Sequence, residues 1–348
     1  MLALATLRGT DPRAVHALAW RTGSARGCLA RIRGGQAGSD GDREHLRGLD
    51  VKAVQEAMAA CGARLVGPND DEYPACLLDL HDPPTAVFVR GRSLRDDHDR
   101  VSIVGSRGAS ALGAEVAYDL GRCLSGVGIW VVSGAARGID SASHRGALAA
   151  GGRTVAVLGS GIDVLYPRGS APLLARILEE GTIVSEYAPG VPAEPFRFPA
   201  RNRLVAGLSR ALVVVEGANK SGSMITVDHA LELGRDVFAV PGPVTSELST
   251  VPLALIREGA TLIRGPEDLL HDLGMAATLI ERPPPDLAEA DRRVWEALAG
   301  PALPDSVART ADLSIPDVMS ALLRLEIRGL VRAIGGRYER CLVPAEAG

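Results

Sequence analysis

Short apolar runs alternate with amphipathic helical patterns between residues 85 and 273, and this alternation constrains the fold more than any other feature of the chain. Runs typical of buried strands lie at 85–91, 101–106, 129–134, 154–161, 182–187, 211–217, 236–242 and 260–263. Segments with helical spacing lie between them at 111–126, 138–150, 170–180, 223–233 and 252–258. Strands that alternate with helices form a parallel sheet covered by helices on both faces. The sequence therefore predicts a doubly wound α/β fold.

The flanking segments have a different character. Residues 1–66 contain short helical patterns and predict a small helical domain. The α/β domain is expected over 67–273, and a proline-stiffened linker over 274–285. Residues 286–348 begin with helical patterns and end in an alternating pattern around a Gly-Gly pair, which is typical of a small winged-helix domain.

The overall charge restricts the classes of function that are possible. Lys and Arg total 38 and Asp and Glu total 42, so the net charge of −4 excludes nucleic-acid binding by bulk charge, and any basic site must be local. The five cysteines are scattered and include no C-x-x-C pair, which predicts neither a zinc site nor a disulfide framework. No apolar run is long enough for a membrane helix. We expect a cytoplasmic protein without a membrane anchor, metal or cofactor.

The first candidate site is a loop that follows the predicted strand at 101–106. Gly105, Ser106 and Arg107 come directly after apolar residues and shortly before a helical pattern. Backbone N–H groups in such a loop can approach an anion, the helix N-terminus adds positive charge, and Arg107 can bind a phosphate with two hydrogen bonds. Neither the dinucleotide-binding motif nor the P-loop motif is present. A tight turn without a ligand is the alternative interpretation.

Similar loops follow other predicted strands. They are the loop that contains Arg137, the segment Gly159–Gly161 and the segment Lys220–Ser223. Because the carboxyl ends of parallel strands meet at one edge of a sheet, we expect these loops to lie side by side. Several anion-binding loops along one edge suit an extended polyanion better than a single nucleotide. The alternative is that glycine-rich turns are simply what strand–helix connections require.

The segment 195–210 is the clearest basic region of this acidic chain. It contains no acid, and its arginines are Arg197, Arg201, Arg203 and Arg210. Asn202 lies between two of them, and Phe196 and Phe198 precede them. Arginine interleaved with aromatic residues is typical of sites that bind single-stranded nucleic acid, because the cations contact phosphates while the rings stack on bases. The alternative is a solvated loop with buried phenylalanines.

The catalytic candidates are weaker. Asp140 and His144 are four residues apart, so they share a helix face and form either an acid–base pair or, more commonly, a helix ion pair or cap. Glu186 and Glu216 end strands near the same edge, but nothing in the sequence places them across a scissile bond. Neither a metal-ligand spacing nor a nucleophile elbow occurs. The sequence predicts no catalytic residue.

With these residues in view, the chain resembles the DNA-processing protein A (DprA/Smf) family. The motifs that carry the resemblance are IVGSR, VVSGAARGIDSASHRGAL, VAVLGSGIDVLYP, IVSEYAPG, FPARNRLVAGLS, VVVEGANKSGSMIT and GRDVFAVPGPV, in the order found in that family. The resemblance covers about residues 85–270, and the connector at 63–91 also resembles the family. It implies an extended Rossmann-like domain that binds single-stranded DNA, preceded by a helical domain of the SAM or helix-hairpin-helix type over residues 1–66.

The resemblance also implies partners and site residues. Members of the family load the recombinase RecA onto single-stranded DNA against the single-strand-binding protein during natural transformation, act as homodimers, and are not known as enzymes. The site residues expected on these grounds, together with the loops described above, are Gly105, Ser106, Arg107, Arg137, Arg201, Asn202, Arg203, Lys220, Ser221, Gly222 and Ser223.

Two further expectations concern the alternatives. An enzyme of the nucleoside-phosphate phosphoribohydrolase type on a related fold would need a P-G-G-x-G-T loop to hold a phosphate. The corresponding segment here is Pro241-Gly242-Pro243, in which the second proline removes an N–H donor.

In the winged-helix segment, the expected recognition stretch carries two acids and two arginines (Asp317, Arg324, Glu326 and Arg328). With no net charge, this stretch is predicted to bind protein rather than to be a strong DNA reader.

Overall fold

A computed structural model gives the structure of the chain and describes residues 1–7, 12–95, 99–152, 154–219, 221–275, 279–280, 286–328, 330–340 and 343–344. The chain divides into two units, residues 1–273 and 274–348, so the predicted helical domain folds within the same unit as the sheet. Most of the predicted linker lies outside the described residues. The four-part division of the chain stays a prediction. In the described parts of the chain, no helix is long and apolar enough to cross a membrane.

The first unit begins with short helices whose ends are set by polar side chains. They are α1 (Leu2–Ala5), α2 (Pro12–Thr22), α3 (Ala25–Arg33), α4 (Asp40–Gly48) and α5 (Val51–Cys61). Ser24 caps α3, and Ser39 and Asp42 form a reciprocal capping box at the start of α4. Asp50 caps α5, which ends at Gly62 in the left-handed conformation.

A nine-stranded sheet forms the centre of the first unit as described. Its strands are β1 (Arg64–Val66), β2 (Val87–Gly91), β3 (Arg100–Val104), β4 (Trp130–Ser133), β5 (Thr154–Gly161), β6 (Thr182–Tyr187), β7 (Ala211–Val214), β8 (Asp236–Ala239) and β9 (Thr261–Leu262). The order across the sheet is β1-β2-β6-β5-β4-β3-β7-β8-β9. All residues of β3, β4, β5 and β7 are buried, as expected for strands covered on both faces.

The sheet is parallel from β6 to β9 and antiparallel at the other edge. The predicted doubly wound α/β fold is therefore confirmed. The expectation of a wholly parallel sheet is corrected at β2, which pairs antiparallel with both β6 and β1. Two consecutive strands of a sheet can be parallel only when a crossover segment, usually a helix, connects them. The described residues between β2 and β3 contain no such segment, so β2 runs opposite to β3.

The helices of the sheet region follow the strands. They are α6 (Ala111–Gly126), α7 (Ile139–Ala149), α8 (Ala171–Glu180), α9 (Arg197–Gly207), α10 (Ser223–Glu232), α11 (Thr250–Arg257) and α12 (Pro266–Asp272), with short 3-10 turns at Ala75–Asp79, Arg168–Ser170 and Glu247–Ser249. The sequence predicts five of these helices but not α9 or α12. The sequence predicts a basic segment over α9 but no helix, because the arginines of α9 are buried, as described below.

The order of the strands creates a switch point beside β3. From β3 the chain continues to β4, β5 and β6 on one side, and it later returns to β7, β8 and β9 on the other side. The connections that leave β3 and β7 therefore diverge, and a crevice opens beyond the carboxyl ends of these two strands. Ligands of doubly wound folds bind in this position.

The second unit has the helices and hairpin of a winged-helix fold, as predicted. Its elements are β10 (Leu279–Ile280), α13 (Glu289–Ala297), α14 (Pro304–Ala311), α15 (Ile315–Ile327), β11 (Val331–Ile334), β12 (Arg337–Arg340) and β13 (Val343–Pro344). The strands β11 and β12 pair around Gly335 and Gly336, which both have positive φ and so form the predicted tight turn. The guanidinium of Arg340 lies 4.0 Å from the centroid of the Trp295 ring and fixes the hairpin to α13.

Two glycines allow α6 and α7 to pack in direct backbone contact. A Cβ atom at Gly121 would overlap the carbonyl oxygen of Ser143, and a Cβ atom at Gly146 would overlap that of Tyr118. Both glycines are buried. Because the obstacle in each case is backbone, neither helix can yield by a change of side-chain rotamer.

We expect Gly146→Ala to lower the free energy of unfolding of the first unit by about 1–3 kcal/mol, because the added methyl group forces two helices apart. Gly48→Ala is the matched control: Gly48 is exposed at the end of α4, and its Cβ would meet no atom within 4 Å. This control should be neutral or slightly stabilising. Urea denaturation followed by circular dichroism measures both. Equal stability of the two variants would contradict the backbone contact.

Candidate nucleic-acid interface

A groove of about 380 Å³ lies at the switch point between β3 and β7. The loops that follow β3, β4 and β7 form its walls together with α9. The sequence-predicted residues that line it are Gly105, Ser106, Arg107, Arg201, Asn202, Ser221, Gly222 and Ser223. Residues that are up to 118 positions apart in the sequence, such as Gly105 and Ser223, therefore meet in one place.

Arg107 is the exposed cation of the groove. Its guanidinium carbon lies 5.6 Å from the centroid of the Phe198 ring, in the range of a cation–π contact. The ring of Phe198 lies in turn 5.4 Å from that of Tyr166, which is exposed. A charged group and an accessible aromatic surface therefore adjoin at one end of the groove.

Arg201 forms a buried part of the groove wall. Its Nη1 atom donates to the carbonyl oxygen of Val157 in β5, and its guanidinium occupies the space that a side chain at position 134 would need. Burial lowers the pKa of Arg201 to about 10, with Arg107 acting in the same direction and Asp140 opposing it. The guanidinium therefore remains charged at neutral pH.

Asp140 is the carboxylate among the residues that line the groove. Burial raises its pKa, whereas Arg201 and the N–H of Ala136, which donates to Oδ2 at 3.2 Å, favour the ionised form. The charged lining residues are thus two arginines and one aspartate, so the described wall carries a net positive charge.

The N-terminus of α10 faces the groove, and its N-cap residue, Gly222, has no side chain that could cap it. Asn202 donates from Nδ2 to the carbonyl oxygen of Gly222 at 3.1 Å and so fixes the loop before α10 to α9. The hydroxyl oxygens of Ser221 and Ser223 are 2.8 Å apart at the same place. The N–H groups of Ser223 and Met224 donate to the hydroxyl and the carbonyl oxygen of Ser221, at 3.4 and 3.1 Å. The positive end of the helix dipole nevertheless favours an anion at this helix end.

The N-terminus of α6, by contrast, is already filled by a carboxylate of the chain itself. Glu216, two residues after β7, accepts hydrogen bonds from the N–H and the hydroxyl of Ser110, the cap residue of α6. Its carboxylate also occupies the space next to Gly113. This is the helix end at which a dinucleotide-binding fold would hold its phosphates. Sequence reasoning treated Glu216 only as an acid at a strand end.

Arg203 does not reach this groove. It is buried and donates to Glu186 through Nη2 at 2.8 Å and to Asp82 through Nε at 2.8 Å. Burial opposes its charge, but the two carboxylates outweigh burial and raise its pKa. Arg203 lines a separate cavity, so we assign it to anchoring α9 rather than to the phosphate contact expected from the sequence.

The segment 195–210 is therefore not an exposed basic strip, and its interpretation as a solvated loop is wrong, because Arg197–Gly207 form the helix α9. Arg197 is buried between the rings of Tyr187 and Phe196, at 4.9 and 5.1 Å, and donates to the carbonyl oxygen of Pro192. Arg210 pairs with Asp99 at 3.2 Å. The arginines that precede Arg210 in this segment lie in α9 and are buried, so most of the positive charge of the segment holds the fold together.

The remaining predicted residues fall into three groups. Arg137 is exposed in the loop after β4 but does not line the groove. The segment Gly159–Gly161 is the buried end of β5 rather than an anion-binding loop. Lys220 lies outside the described residues.

Asp140 and His144 do not form an acid–base pair. His144 is buried, and its Nδ1 atom lies 2.6 Å from the hydroxyl of Thr154, which itself donates to the carbonyl oxygen of Val131. The hydroxyl has only one proton, so the histidine must carry its hydrogen on Nδ1 and donate it. The Nε2 atom is then a bare acceptor, for which the described residues supply no donor. Burial lowers the pKa of His144 to about 3.

The groove thus offers hydrogen-bond donors and cations rather than reactive groups. The carboxylate of Asp140 accepts the N–H of Ala136, and the charge of Arg201 favours its ionised form. No histidine or cysteine is among the described residues that line the groove. Across the described parts of the chain, no three His, Cys, Asp or Glu side chains come together as metal ligands do. Such a site can bind an anion and hold it in place.

Comparison with known proteins yields matches over both units. The model of the DNA recombination-mediator protein A family matches residues 64–274, and the model of the DprA winged helix domain matches residues 280–337. The putative DNA processing protein DprA of Mycobacterium tuberculosis (strain CDC 1551 / Oshkosh) is 38% identical over 333 residues, which cover 88% of this chain and 85% of that protein.

Solved structures of similar sequence share the fold. The DNA processing protein A of Streptococcus pneumoniae superimposes with a TM-score of 0.61 at 38% identity, over 66% of this chain and 81% of that one. The corresponding protein of Helicobacter pylori, whose structure concerns its unique single-stranded DNA binding mode, gives a TM-score of 0.56 at 27% identity, over 61% and 95% of the two chains. The resemblance inferred from the motifs is confirmed.

The buried histidine leads to a prediction of pH dependence. Its pKa is about 3 in the folded chain and 6.5 when unperturbed, so the unfolded chain binds one more proton between these values. The stability contributed by neutral His144 is full above pH 6.5 and is lost as the pH falls toward 3, by about 1.4 kcal/mol per pH unit.

His144→Asn should lack this dependence, because Asn can still donate to Thr154 but does not titrate. We expect the difference in unfolding free energy between parent and variant to be constant above pH 6.5 and to shrink between pH 6.5 and 4.5. Chemical denaturation at several pH values measures it. A difference that stays constant down to pH 4.5 would show that the ring is accessible to protons.

Proposed function

The chain belongs to the DNA recombination-mediator protein A family, and we propose that it binds single-stranded DNA in the groove between β3 and β7. One observation carries this proposal: Arg107, Arg201 and the N-terminus of α10 converge on a single open groove. Each of these groups favours a phosphate, and together they suit consecutive phosphates of one strand.

The aromatic surface beside Arg107 supports a single strand rather than a duplex. Phe198 lies partly exposed between Arg107 and the ring of Tyr166, where an unpaired base can stack. In a duplex the base faces are covered by their neighbours and cannot reach a protein ring. Binding through phosphates and stacking is tolerant of sequence, since every base has an aromatic face.

We further propose that the protein is not an enzyme. The N-terminus of α6 holds Glu216, so a nucleotide phosphate cannot use it as in a phosphoribohydrolase-type site. The segment Pro241-Gly242-Pro243 lacks the N–H that a phosphate loop would need at its last position. Asp140, the carboxylate of the groove, accepts the N–H of Ala136 and lies within the electrostatic influence of Arg201.

The finer role that we propose is that of a recombination mediator. In this role a homodimer in the cytoplasm holds incoming single-stranded DNA during natural transformation and loads RecA onto it in competition with the single-strand-binding protein. Membership of the family supports the role. A site that reads phosphates rather than base edges also fits it, because incoming DNA can have any sequence.

Arg107→Ala tests the groove directly. Arg107 is exposed, so its removal should leave the fold intact while it weakens binding of a dT oligonucleotide about tenfold, as the loss of one charge-assisted hydrogen bond predicts. The slope of log affinity against log salt should become shallower by about 0.7, which is one phosphate contact on a single strand. Fluorescence anisotropy over a salt series measures both quantities.

Arg176→Ala is the matched control, since Arg176 is an exposed arginine of α8 that does not line the groove. It should bind like the parent protein. If Arg107→Ala and Arg176→Ala bind equally well, the groove is not the DNA site. Tighter binding of duplex than of single-stranded oligonucleotide would also contradict the proposal.

The mediator role has a separate test. On single-stranded DNA coated with single-strand-binding protein, the parent should shorten the lag before RecA begins to hydrolyse ATP, because it opens a place for RecA to nucleate. Arg107→Ala should shorten the lag less, in proportion to its weaker binding. A parent that binds DNA but leaves the lag unchanged would refute the mediator role and leave DNA binding standing.

A further inference from the structure

The helical region (residues 1–66) has a charge opposite to that of the rest of the chain. It contains ten Lys and Arg against six Asp and Glu, whereas residues 67–348 contain 28 against 36. Within the helical region the acids lie before residue 12 or after residue 39, so residues 12–39 hold five arginines and no acid. An acidic chain therefore has a basic N-terminal region, centred on α2 and α3.

The charge of α2 and α3 is not neutralised within the fold. Four of their arginines are exposed, namely Arg21 in α2 and Arg26, Arg31 and Arg33 in α3. None of these four forms an ion pair or a hydrogen bond through its side chain with a residue that the structure describes. In the next helix, α4, Arg43 by contrast forms an ion pair with Asp40. The basic surface thus stays available to an external anion.

The helix α3 places two of these cations on one face. Cys28 and Ile32 are buried in the small apolar core of the helical region. Arg26 and Arg33 are seven residues apart on the opposite side, which is two helical turns, or about 10 Å along the helix axis. The exposed residue between them is Ala30, whose short side chain leaves the helix surface open. The face that carries Arg26, Ala30 and Arg33 is called the α3 face below.

The helix dipole does not explain this arrangement. Arg31 and Arg33 lie in the last turn of α3, where the negative end of the dipole favours cations. Arg26 lies in the first turn, which contains no acid, and there the positive end of the dipole disfavours a cation. Arg26 is therefore unfavourable for the helix itself and stabilises no contact in the described structure. A residue that breaks a local rule without a structural gain indicates a function.

The composition of the surface indicates the kind of partner. Among the side chains of residues 1–66 that the structure describes, Met1 is the exposed large apolar one, and α3 contains no aromatic residue. Protein interfaces and single-strand sites are both enriched in aromatic side chains. Cations without aromatic neighbours fit a phosphate backbone. A duplex carries one charge per about 1.7 Å of its axis and releases more counterions per contact than a single strand.

We propose that the α3 face, with Arg21 and Arg31 beside it, binds the phosphate backbone of duplex DNA. At a spacing of about 10 Å, the guanidinium groups of Arg26 and Arg33 can reach phosphates on both sides of the major groove, which is about 12 Å wide. The contact reads no bases, so it is independent of sequence. It is weak, in the range of about 10⁻⁴ to 10⁻⁶ M that is typical of non-specific binding.

The α3 face is separate from the groove between β3 and β7. Ala200 and Arg203 of α9 line a cavity together with residues of α1, α2 and α4, whereas Phe198 and Arg201 of α9 line the groove. These two pairs of residues lie on opposite sides of α9. The helical region therefore adjoins the side of α9 that faces away from the groove. Duplex binding at the α3 face does not depend on the proposed binding of single-stranded DNA.

The double variant Arg26→Ala with Arg33→Ala tests the α3 face in the full chain. For a blunt 20-base-pair duplex at low salt, its affinity should fall at least tenfold. The slope of log affinity against log salt should become shallower by about 1.8, at 0.9 for each phosphate contact. Arg26→Lys with Arg33→Lys keeps the charge and should retain most of the slope. Fluorescence anisotropy measures all of these values.

Lys52→Ala with Arg176→Ala is the matched control, because it removes the same charge from exposed positions in α5 and α8. The control should bind the duplex with the slope of the parent, and both double variants should melt within a few degrees of the parent. Equal slopes for the Arg26/Arg33 double variant and the control would overturn the proposal. Since Arg107→Ala should weaken dT binding and leave the duplex slope unchanged, this failure is distinguishable from a failure of the groove.

Two competitors test the assignment to duplex DNA. Poly-L-glutamate of the same total charge should displace the labelled duplex less well than unlabelled duplex does, because a flexible polypeptide has a lower charge density. Equal competition would overturn the assignment and favour an acidic protein as the partner. A larger loss of dT affinity than of duplex affinity in the Arg26/Arg33 double variant would overturn it in favour of a single strand.

Discussion

The buried guanidinium of Arg201 is the interaction on which the candidate site depends. It joins α9, which carries it, to β5 through the carbonyl oxygen of Val157. It also fills the space above Gly134, which follows β4, and its positive charge balances the negative charge of Asp140 in α7. A buried cation that lost these partners would be strongly destabilising. The charge that favours an anionic ligand therefore also holds the walls of the groove together.

Two helix N-termini near the switch point determine what the groove can bind. In a doubly wound fold both are natural sites for phosphate. The carboxylate of Glu216 occupies the end of α6, so the fold supplies its own anion there. The end of α10 has no acidic residue in its first turn and faces the groove. The helix end that favours a phosphate is therefore not the one that binds nucleotide cofactors in related folds. It is the end of α10, which lies beside Arg107 and α9.

Much of this architecture could be predicted from the sequence, because buried strands are short apolar runs whose pattern does not depend on tertiary context. The convergence of loops at the edge of the sheet followed from the geometry of parallel strands. The helix α9 could not be predicted, because arginines at 197, 201 and 203 are buried and reverse the usual relation between polarity and exposure. Their partners, Glu186, Asp82 and Val157, are distant in sequence, so only the folded chain reveals them. The antiparallel pairing of β2 could not be predicted either, because its partner strand β6 is distant in sequence.

The ion pairs of Arg203 have a consequence for the energetics of recognition. Arg203 fixes α9 to β6 and to the connector that carries Asp82, and Asn202 next to it fixes the loop before α10. The side chain of Arg201 is likewise immobilised when the chain folds. A free arginine on a surface would lose rotational freedom upon contact with its ligand. In this protein that entropy is lost during folding, so the side chains that surround the groove are already ordered, and an anion that binds there keeps more of the enthalpy of each contact as affinity.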